Sequence, residues 1–132
     1  MSTNLRKRVL IVDDENDFCQ LLKRNLELSG DFEVDIATSG KEGLGLVEKK
    51  APDVILLDIM MPEMDGFKVL EKLKSDANIC AIPVIMLTAK GDEASKARAA
   101  QLQSAQYITK PIEASDLMVR IEEVLKKSTF KK

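Results

Sequence analysis

Short apolar runs and helical patterns alternate along the whole chain. The apolar runs have the length of β-strands, and some, such as Val-Ile-Leu-Leu at 54–57, contain no polar residue, which is typical of strands buried on both faces. Between the runs, apolar residues recur at spacings of three and four, which indicates amphipathic helices. The predicted strands cover residues 9–12, 32–37, 53–58, 82–87 and 105–109.

A predicted helix follows each strand. The first carries apolar residues from Phe18 to Leu28, the second opens at a capping sequence that begins with Ser39, and the third follows the turn 64–66. The last two helices cover about 93–102 and 113–127. This alternation favours a parallel sheet with helices on both faces. We therefore predict a single α/β domain, a doubly wound five-stranded parallel sheet with five helices in a three-layer α/β/α sandwich.

Two glycines lie inside the second predicted helix, at Gly43 and Gly45. Each costs about 1 kcal/mol relative to alanine in a helix interior. Either this helix is the least stable of the five, or one glycine allows the helix to approach the sheet closely. Both interpretations stay open at this point.

Composition narrows the classes of function. The chain has 132 residues, a net charge of −2 and no apolar segment near the length of about 20 residues that crosses a bilayer. The amino terminus has basic residues but no apolar segment of signal-peptide length. We therefore expect a cytoplasmic protein that contacts neither a membrane nor nucleic acid directly.

The sequence contains no histidine, which excludes serine–histidine and cysteine–histidine catalysis, most zinc sites and a phosphohistidine carrier. The two cysteines, Cys19 and Cys80, lie in unrelated contexts, and we expect both to be reduced and to act as small apolar residues. Chemistry in this chain must therefore use carboxylates, hydroxyls and lysines.

Polar side chains stand at the carboxyl ends of four predicted strands. Asp13 and Asp14 follow the first strand, and Asp58 ends the third. Thr88 follows the fourth strand, and Lys110 follows the fifth. Asp14 could also cap the first helix. Because ligands of open α/β sheets bind at the carboxyl edge, we expect these side chains to form one site.

This set of side chains suits phosphoryl transfer. Two carboxylates about 4 Å apart repel by about 4 kcal/mol at an effective dielectric constant of about 20, so the cluster needs a cation. An all-oxygen set of ligands matches Mg²⁺. Asp58 is the natural nucleophile, since a carboxylate that attacks phosphorus forms an aspartyl phosphate. Lys110 and Thr88 can donate to phosphoryl oxygens, which spreads the transferred charge.

The same residues stand in motifs that resemble the receiver domains of two-component response regulators. The motifs recur with the spacing of that family over about residues 7–127, and together they are highly specific. They are Val-Leu-Ile-Val-Asp-Asp-Glu at 9–15, Asp-Val-Ile-Leu-Leu-Asp-Ile-Met-Met-Pro-Glu-Met-Asp-Gly at 53–66, Pro-Val-Ile-Met-Leu-Thr-Ala-Lys at 83–90 and Tyr-Ile-Thr-Lys-Pro at 107–111.

The resemblance implies a flavodoxin-like fold with strand order 2-1-3-4-5. It also implies an N-terminal tail at 1–6, a receiver domain at 7–127, and a C-terminal tail or the start of a linker at 128–132. In this family the bond between Lys110 and Pro111 is typically cis.

Residue roles also follow from the resemblance. Asp58 would be the site of phosphorylation, and Asp13 and Asp14 the acidic pair that binds Mg²⁺ together with it. The backbone carbonyl of Met60 would complete the metal shell, and Mn²⁺ would be a substitute for Mg²⁺.

Three further roles concern catalysis and switching. Thr88 and Lys110 would join Asp58 in catalysis, with Thr88 as the switch hydroxyl and Lys110 as the ion-pair partner of the phosphoryl group. Tyr107 would be the switch aromatic residue.

As a function, the resemblance implies a signalling module rather than a conventional enzyme. A sensor histidine kinase or phosphotransfer protein would donate the phosphoryl group, and the domain would catalyse its own phosphorylation and slow dephosphorylation. The face formed by the fourth helix, fifth strand and fifth helix would then control an output domain or effector, consistent with transcription regulation.

Met60 and Lys90 are the side chains that flank the site by the family pattern.

The chain departs from the family just before Tyr107. A Gly-Ala pair and acidic residues are common there, whereas this chain has Gln-Ser-Ala-Gln at 103–106. Arg120 stands where transcription-factor-type receivers carry an arginine. Without the acids, a salt-bridged homodimer through the face described above is left open.

Three other hypotheses of function fit the residues of this sequence less well. A phosphatase of the haloacid-dehalogenase class needs an aspartate two residues after its nucleophile, and here Met60 occupies that place. A flavodoxin would need a phosphate-binding loop after the first strand, where the chain has Asp-Asp-Glu at 13–15. A pseudo-receiver, which acts only as an interaction module, should lack some of the five site residues, and all are present.

Overall fold

The computed structural model describes residues 6–88 and 93–130. Five strands alternate with five helices within these ranges. They are β1 (Lys7–Val12), α1 (Asn16–Leu28), β2 (Phe32–Ala37), α2 (Gly40–Lys49), β3 (Val54–Asp58), α3 (Gly66–Ser75), β4 (Val84–Thr88), α4 (Glu93–Gln101), β5 (Gln106–Thr109) and α5 (Ala114–Phe130).

The strands form one sheet in the order β2-β1-β3-β4-β5, and every neighbouring pair is parallel. This arrangement confirms the predicted doubly wound sheet and its strand order. The bond between Lys110 and Pro111 is cis, as the resemblance implied. Among the described residues, no helix is long and apolar enough to cross a membrane.

Alternating residues of the strands supply two separate cores. In β1, Val9 and Ile11 pack into a cluster with buried residues of α1 and α5. Leu10 and Val12 face the opposite way and join buried residues of α2, α3 and α4. Because a strand points successive side chains to opposite faces, an entirely apolar strand requires helices on both sides. The three-layer sandwich is thereby confirmed.

Element boundaries differ from the sequence prediction by a few residues. β4 begins at Val84 rather than at position 82, because Pro83 has no N–H to donate to a neighbouring strand. α5 continues to Phe130, whereas the sequence predicted an end at Lys127 with a tail from 128.

The capping sequence at the start of α2 is confirmed in modified form. The Ser39 side chain accepts a hydrogen bond from the Glu42 N–H at 3.1 Å. In return, the Glu42 carboxylate accepts from the N–H of Thr38 at 2.8 Å, one residue earlier than the usual capping box. The helix start is therefore fixed by residues that the sequence pattern identified.

The two glycines of α2 have different surroundings. A Cβ atom at Gly43 would lie 2.9 Å from Cγ2 of Val12, a buried residue of β1, whereas a Cβ at Gly45 would meet no atom within 4 Å. Gly43 therefore allows a close approach of the helix to the sheet. Gly45 has no such packing role.

Gln103 stands at the position before Tyr107 where the receiver family often has glycine, and this position lies just after the end of α4. Gln103 has a left-handed φ of 65°. Its N–H donates to Ala100 at 3.1 Å, and the N–H of Ser104 donates to Ala99 at 3.1 Å. This is the Schellman pattern that closes a helix, formed with glutamine at the position glycine usually occupies.

Candidate functional site

The parallel register brings the four predicted strand ends to one edge of the sheet. Asp13 and Asp14 follow β1, Asp58 is the last residue of β3, and Thr88 is the last residue of β4. Thr88 pairs with Thr109, so Lys110 emerges beside it at the end of β5. All five side chains singled out from the sequence therefore lie at the same edge.

Three carboxylates form the centre of the site. Asp13 and Asp58 are buried, whereas Asp14 is exposed. One oxygen from each of the three lies within 4.8 Å of the others. This spacing and the all-oxygen composition fit a hard divalent cation such as Mg²⁺. The described residues thus bring together the acidic set that the sequence predicted as a metal site.

The negative charge of the Asp58 carboxylate is only partly offset by the positive charge of Lys110. Burial, followed by the charge of Asp13, raises the pKa of Asp58 from 3.8 to about 6, against the opposite effect of Lys110. A buried carboxylate that resists ionisation is rare in a part of a protein that only has to fold, and such groups concentrate at functional sites.

Lys110 is the positive charge at this edge. Its Nζ atom lies 2.7 Å from Asp13 Oδ2, 2.9 Å from Glu15 Oε1 and 3.6 Å from Asp58 Oδ1. It also lies 4.5 Å from the centre of the Phe18 ring. Burial alone would lower the pKa of the ammonium group, but the hydrogen bonds to Asp13 and Glu15 raise it above its usual value. Lys110 therefore stays charged.

The other predicted site residues differ in their surroundings. Thr88 is buried with a relative exposure of 1%. Tyr107 is half-buried and packs against the core on the α2, α3 and α4 side of the sheet. The side chain of Met60, in the loop after β3, is exposed. Lys90 lies outside the described residues.

Gly66 is a residue whose contact with the site the sequence did not predict. A Cβ atom there would overlap the backbone carbonyl oxygen of Asp58. Its N–H donates to the carbonyl of Ile59 at 2.9 Å, and the Asp65 side chain caps α3 by accepting from Lys68 at 2.9 Å. The start of α3 is therefore packed directly against the end of β3. The Asp-Gly pair before an apolar helix was the feature of the sequence that could have indicated this close packing.

The sequence also did not predict that Glu15 and Phe18 contact Lys110. These residues are about 90 positions apart from Lys110 in the chain, and a local sequence pattern does not report contacts over such a separation.

Cys19 lies beneath the site, and its Sγ is 3.3 Å from the carbonyl of Asp13. Burial, followed by the charge of Asp13, raises the pKa of this thiol to about 12. Both cysteines are free, as expected.

The fold and site together define a class of protein. It is a flavodoxin-like α/β domain whose sheet carries a carboxylate cluster and a lysine at its carboxyl edge. Residues 9–122 match the family described as the response regulator receiver domain, and the chain belongs to that family of two-component signalling domains.

Two sequence relatives and a solved structure illustrate the match. The chain is 39% identical over 123 residues to the probable transcriptional regulator ycf27 of Guillardia theta, covering 93% of this chain and 47% of that protein. It is 37% identical over 124 residues to the alkaline phosphatase synthesis transcriptional regulatory protein PhoP of Bacillus subtilis, covering 94% and 50%.

The solved structure is a CheY-like response regulator receiver domain protein of Methanospirillum hungatei. It superposes with a TM-score of 0.88 at 31% identity, covering 97% of this chain and 100% of that one. The chain spans about half the length of the curated relatives it matches.

Proposed function

We propose that Asp58 accepts a phosphoryl group from the phosphohistidine of a sensor histidine kinase or phosphotransfer protein, and that the reaction depends on Mg²⁺. The observation that carries this proposal is the position of Asp58. Its carboxylate is buried, within 4.8 Å of two other aspartates and 3.6 Å from a lysine ammonium group. Such an arrangement costs folding free energy, which favours a functional explanation for it.

In the proposed reaction, an oxygen of the Asp58 carboxylate forms a bond to phosphorus while the phosphorus–nitrogen bond of the donor breaks. The electron pair of that bond leaves with the imidazole ring, which takes up a proton. Asp13, Asp14, Asp58 and the backbone carbonyl of Met60 would hold Mg²⁺, or Mn²⁺ in its place. When bound, the metal supplies positive charge that offsets the negative charge of the phosphoryl oxygens and carboxylates.

Lys110 and Thr88 have complementary roles in this proposal. The Lys110 ammonium group neutralises a phosphoryl oxygen, and the Thr88 hydroxyl donates to another. As Thr88 moves toward the phosphoryl group it leaves space at the end of β4, and Tyr107 of the neighbouring strand turns into it. The same residues then slowly release the group to water, so the domain acts on itself rather than on a stream of substrate.

The proposed output surface is the face formed by α4, β5 and α5. The sequence relatives described above are transcriptional regulators by name. We propose that phosphorylation of this chain likewise controls transcription, through a downstream domain or effector protein. On this face Arg120 donates to the Gln106 side chain of the same chain at 2.9 Å. That internal contact favours a weak homodimer or none.

Intact-mass measurement with acetyl phosphate as donor tests the phosphoacceptor. The wild-type chain should gain one phosphoryl group in Mg²⁺ and none in EDTA, and Asp58→Asn should gain none in either. Asp53→Asn is the matched control, because Asp53 precedes the opposite end of the same strand. It should behave as wild type, and an equal gain by Asp58→Asn would refute the assignment.

A further inference from the structure

Lys110 is engaged away from the proposed phosphoacceptor. A lysine ammonium group has three N–H donors, and here two of them meet carboxylates, at 2.7 Å for Asp13 and 2.9 Å for Glu15. The nearest oxygen of Asp58 is 3.6 Å away, which is longer than a hydrogen bond. A phosphoryl group on Asp58 would therefore compete with these two carboxylates for the same ammonium group.

The two carboxylate partners of Lys110 are unequal. The Asp13 side chain is 0% exposed, so losing its cation would leave a buried charge uncompensated, which is costly. The Glu15 side chain is 65% exposed, and water can replace its partner at little cost. An incoming anion would therefore displace Glu15 from Lys110 and leave Asp13 in place.

The position of Glu15 in the fold also sets it apart. It is the N-cap residue of α1, yet its side chain makes no capping hydrogen bond. Its backbone N–H donates to Asp13 Oδ1 at 2.9 Å, while its carboxylate reaches across to the residue that follows β5. Glutamate is not among the residue types that usually cap a helix with their side chain, and here its carboxylate contacts Lys110.

Phe18 contacts the same ammonium group from the first turn of α1. Its ring centre lies 4.5 Å from Lys110 Nζ, within the range of a cation–π contact. Glu15 and Phe18 are three residues apart, a spacing that places side chains on one face of a helix. The start of α1 thus presents an acidic group and an aromatic ring to Lys110 together.

We propose that Glu15 is a positioning residue which, with the Phe18 ring, holds Lys110 in a withdrawn position until a phosphoryl oxygen replaces Glu15 as its partner. This inference rests on the phosphoacceptor function proposed above. Competition between Glu15 and the phosphoryl group for one ammonium group slows phosphorylation of Asp58. The start of α1 thereby tunes the rate without touching the reacting atoms.

The rate of phosphorylation by acetyl phosphate in Mg²⁺ tests this role. Glu15→Gln should react about fivefold faster than wild type, the effect expected from removing one exposed ion pair. Asp17→Asn is the matched control, since Asp17 is a carboxylate in the first turn of the same helix. It changes net charge equally and should accelerate the reaction less than twofold.

A double-mutant cycle separates a positioning role from a general charge effect. If Glu15 acts through Lys110, Glu15→Gln should not change the slow rate of a Lys110→Met background. An acceleration that persists in that background, or an equal one from Asp17→Asn, would overturn the proposal.

The contact between Glu15 and Lys110 can also be tested without a phosphodonor. In urea unfolding of the metal-free protein, Glu15→Gln should lower the midpoint of wild type but not that of Lys110→Met. Additive effects, with normal phosphorylation of Asp58, would overturn the role of Glu15 alone. A second outcome is that the effects of the two substitutions on the urea midpoint are not additive, but the protein takes up no phosphoryl group. That result would contradict the proposed function, and this role of Glu15 with it.

Discussion

At the scale of single residues, the two buried carboxylates of the site are compensated differently. Asp13 has a lysine at 2.7 Å and a backbone N–H at 2.9 Å. Among the described residues, the nearest cation to Asp58 is the same lysine, at 3.6 Å, and burial, followed by the charge of Asp13, raises its pKa to about 6. The charge on Asp58, rather than that on Asp13, therefore opposes folding at neutral pH.

Asp58→Asn should stabilise the metal-free protein at pH 7 by roughly 1–3 kcal/mol in free energy of unfolding, because burial and the charge of Asp13 raise the pKa of the folded Asp58 from 3.8 to about 6. The folded wild type binds a proton more readily than the unfolded chain, whose Asp has the ordinary value of 3.8. Wild type therefore gains stability as the pH falls from about 6 to 4. The advantage of the variant should disappear over that interval, as measured by urea unfolding.

Asp13→Asn is the control for that experiment, because it removes the same charge from the same cluster. It should lower the free energy of unfolding at pH 7, since Lys110 loses its buried partner. Equal stabilisation by both substitutions would show that general crowding of charge, not the poor compensation of Asp58, governs stability.

Met60 bears on the lifetime of the phosphorylated protein. Hydrolysis needs a water molecule in line with the bond between Asp58 and phosphorus. A thioether accepts hydrogen bonds weakly and the ammonium group of Lys90 accepts none, so neither flanking side chain can draw a proton from water. We therefore expect slow self-dephosphorylation, suited to a sustained output such as transcription.

Met60→Asn combined with Lys90→Glu should speed the loss of the phosphoryl group, measured as phosphoprotein decay in Mg²⁺ after donor removal. Leu21→Asn is a suitable control, since Leu21 is an exposed apolar residue of α1. If the double variant decays no faster than wild type, these side chains do not limit hydrolysis.

At the scale of elements, α2 shows how one helix can contain two glycines with different roles. Gly43 lies against Val12 of β1, and Gly45 faces open space. The sequence allowed two interpretations, a weakened helix or a close approach of the helix to the sheet. The structure assigns the close approach to Gly43, and Gly45 is left with the intrinsic cost of glycine.

Gly45→Ala should raise the free energy of unfolding by about 1 kcal/mol, because alanine is the better helix former and meets no neighbour. Gly43→Ala should lower it, since the buried Val12 side chain would have to move to admit the new methyl group. Thermal unfolding of the two variants checks the pair. The prediction fails if both substitutions have the same sign.

At the scale of the whole molecule, the sheet gathers side chains from four strand ends that are distant in sequence. The site is therefore a property of the folded domain, and binding of a cation there should stabilise the domain as a unit. The gain in free energy of unfolding is about 2.7 kcal/mol at a Mg²⁺ concentration one hundred times the dissociation constant.

Adding Mg²⁺ should raise the urea midpoint of wild type, and Asp14→Asn should reduce this increment. Because Asp14 is exposed, its substitution should leave the metal-free midpoint close to that of wild type. Asp116→Asn, at an exposed carboxylate in the first turn of α5, should retain the full increment. An increment that is unchanged in Asp14→Asn would remove this residue from the proposed metal site.

The elements, the layers and the residues of the acidic edge could be predicted from the amino-acid sequence alone. Alternation of entirely apolar strands with amphipathic helices leaves little choice but a parallel sheet covered on both faces. In such a sheet every strand runs the same way, so residues such as Asp58 and Lys110, which stand at strand ends, are bound to meet. The order of the strands came from the family resemblance.

The contacts within that edge could not be predicted from the sequence and became known from the three-dimensional fold. Lys110 lies 2.9 Å from Glu15 but 3.6 Å from Asp58. Gly66 lies against the carbonyl of Asp58, and Gly43 rather than Gly45 approaches the sheet. Hydrophobic periodicity records which face of an element is buried but not the distance or direction to a particular atom across the core. Those distances are set by the packing of all three layers at once, and they determine how the charges of the site are shared.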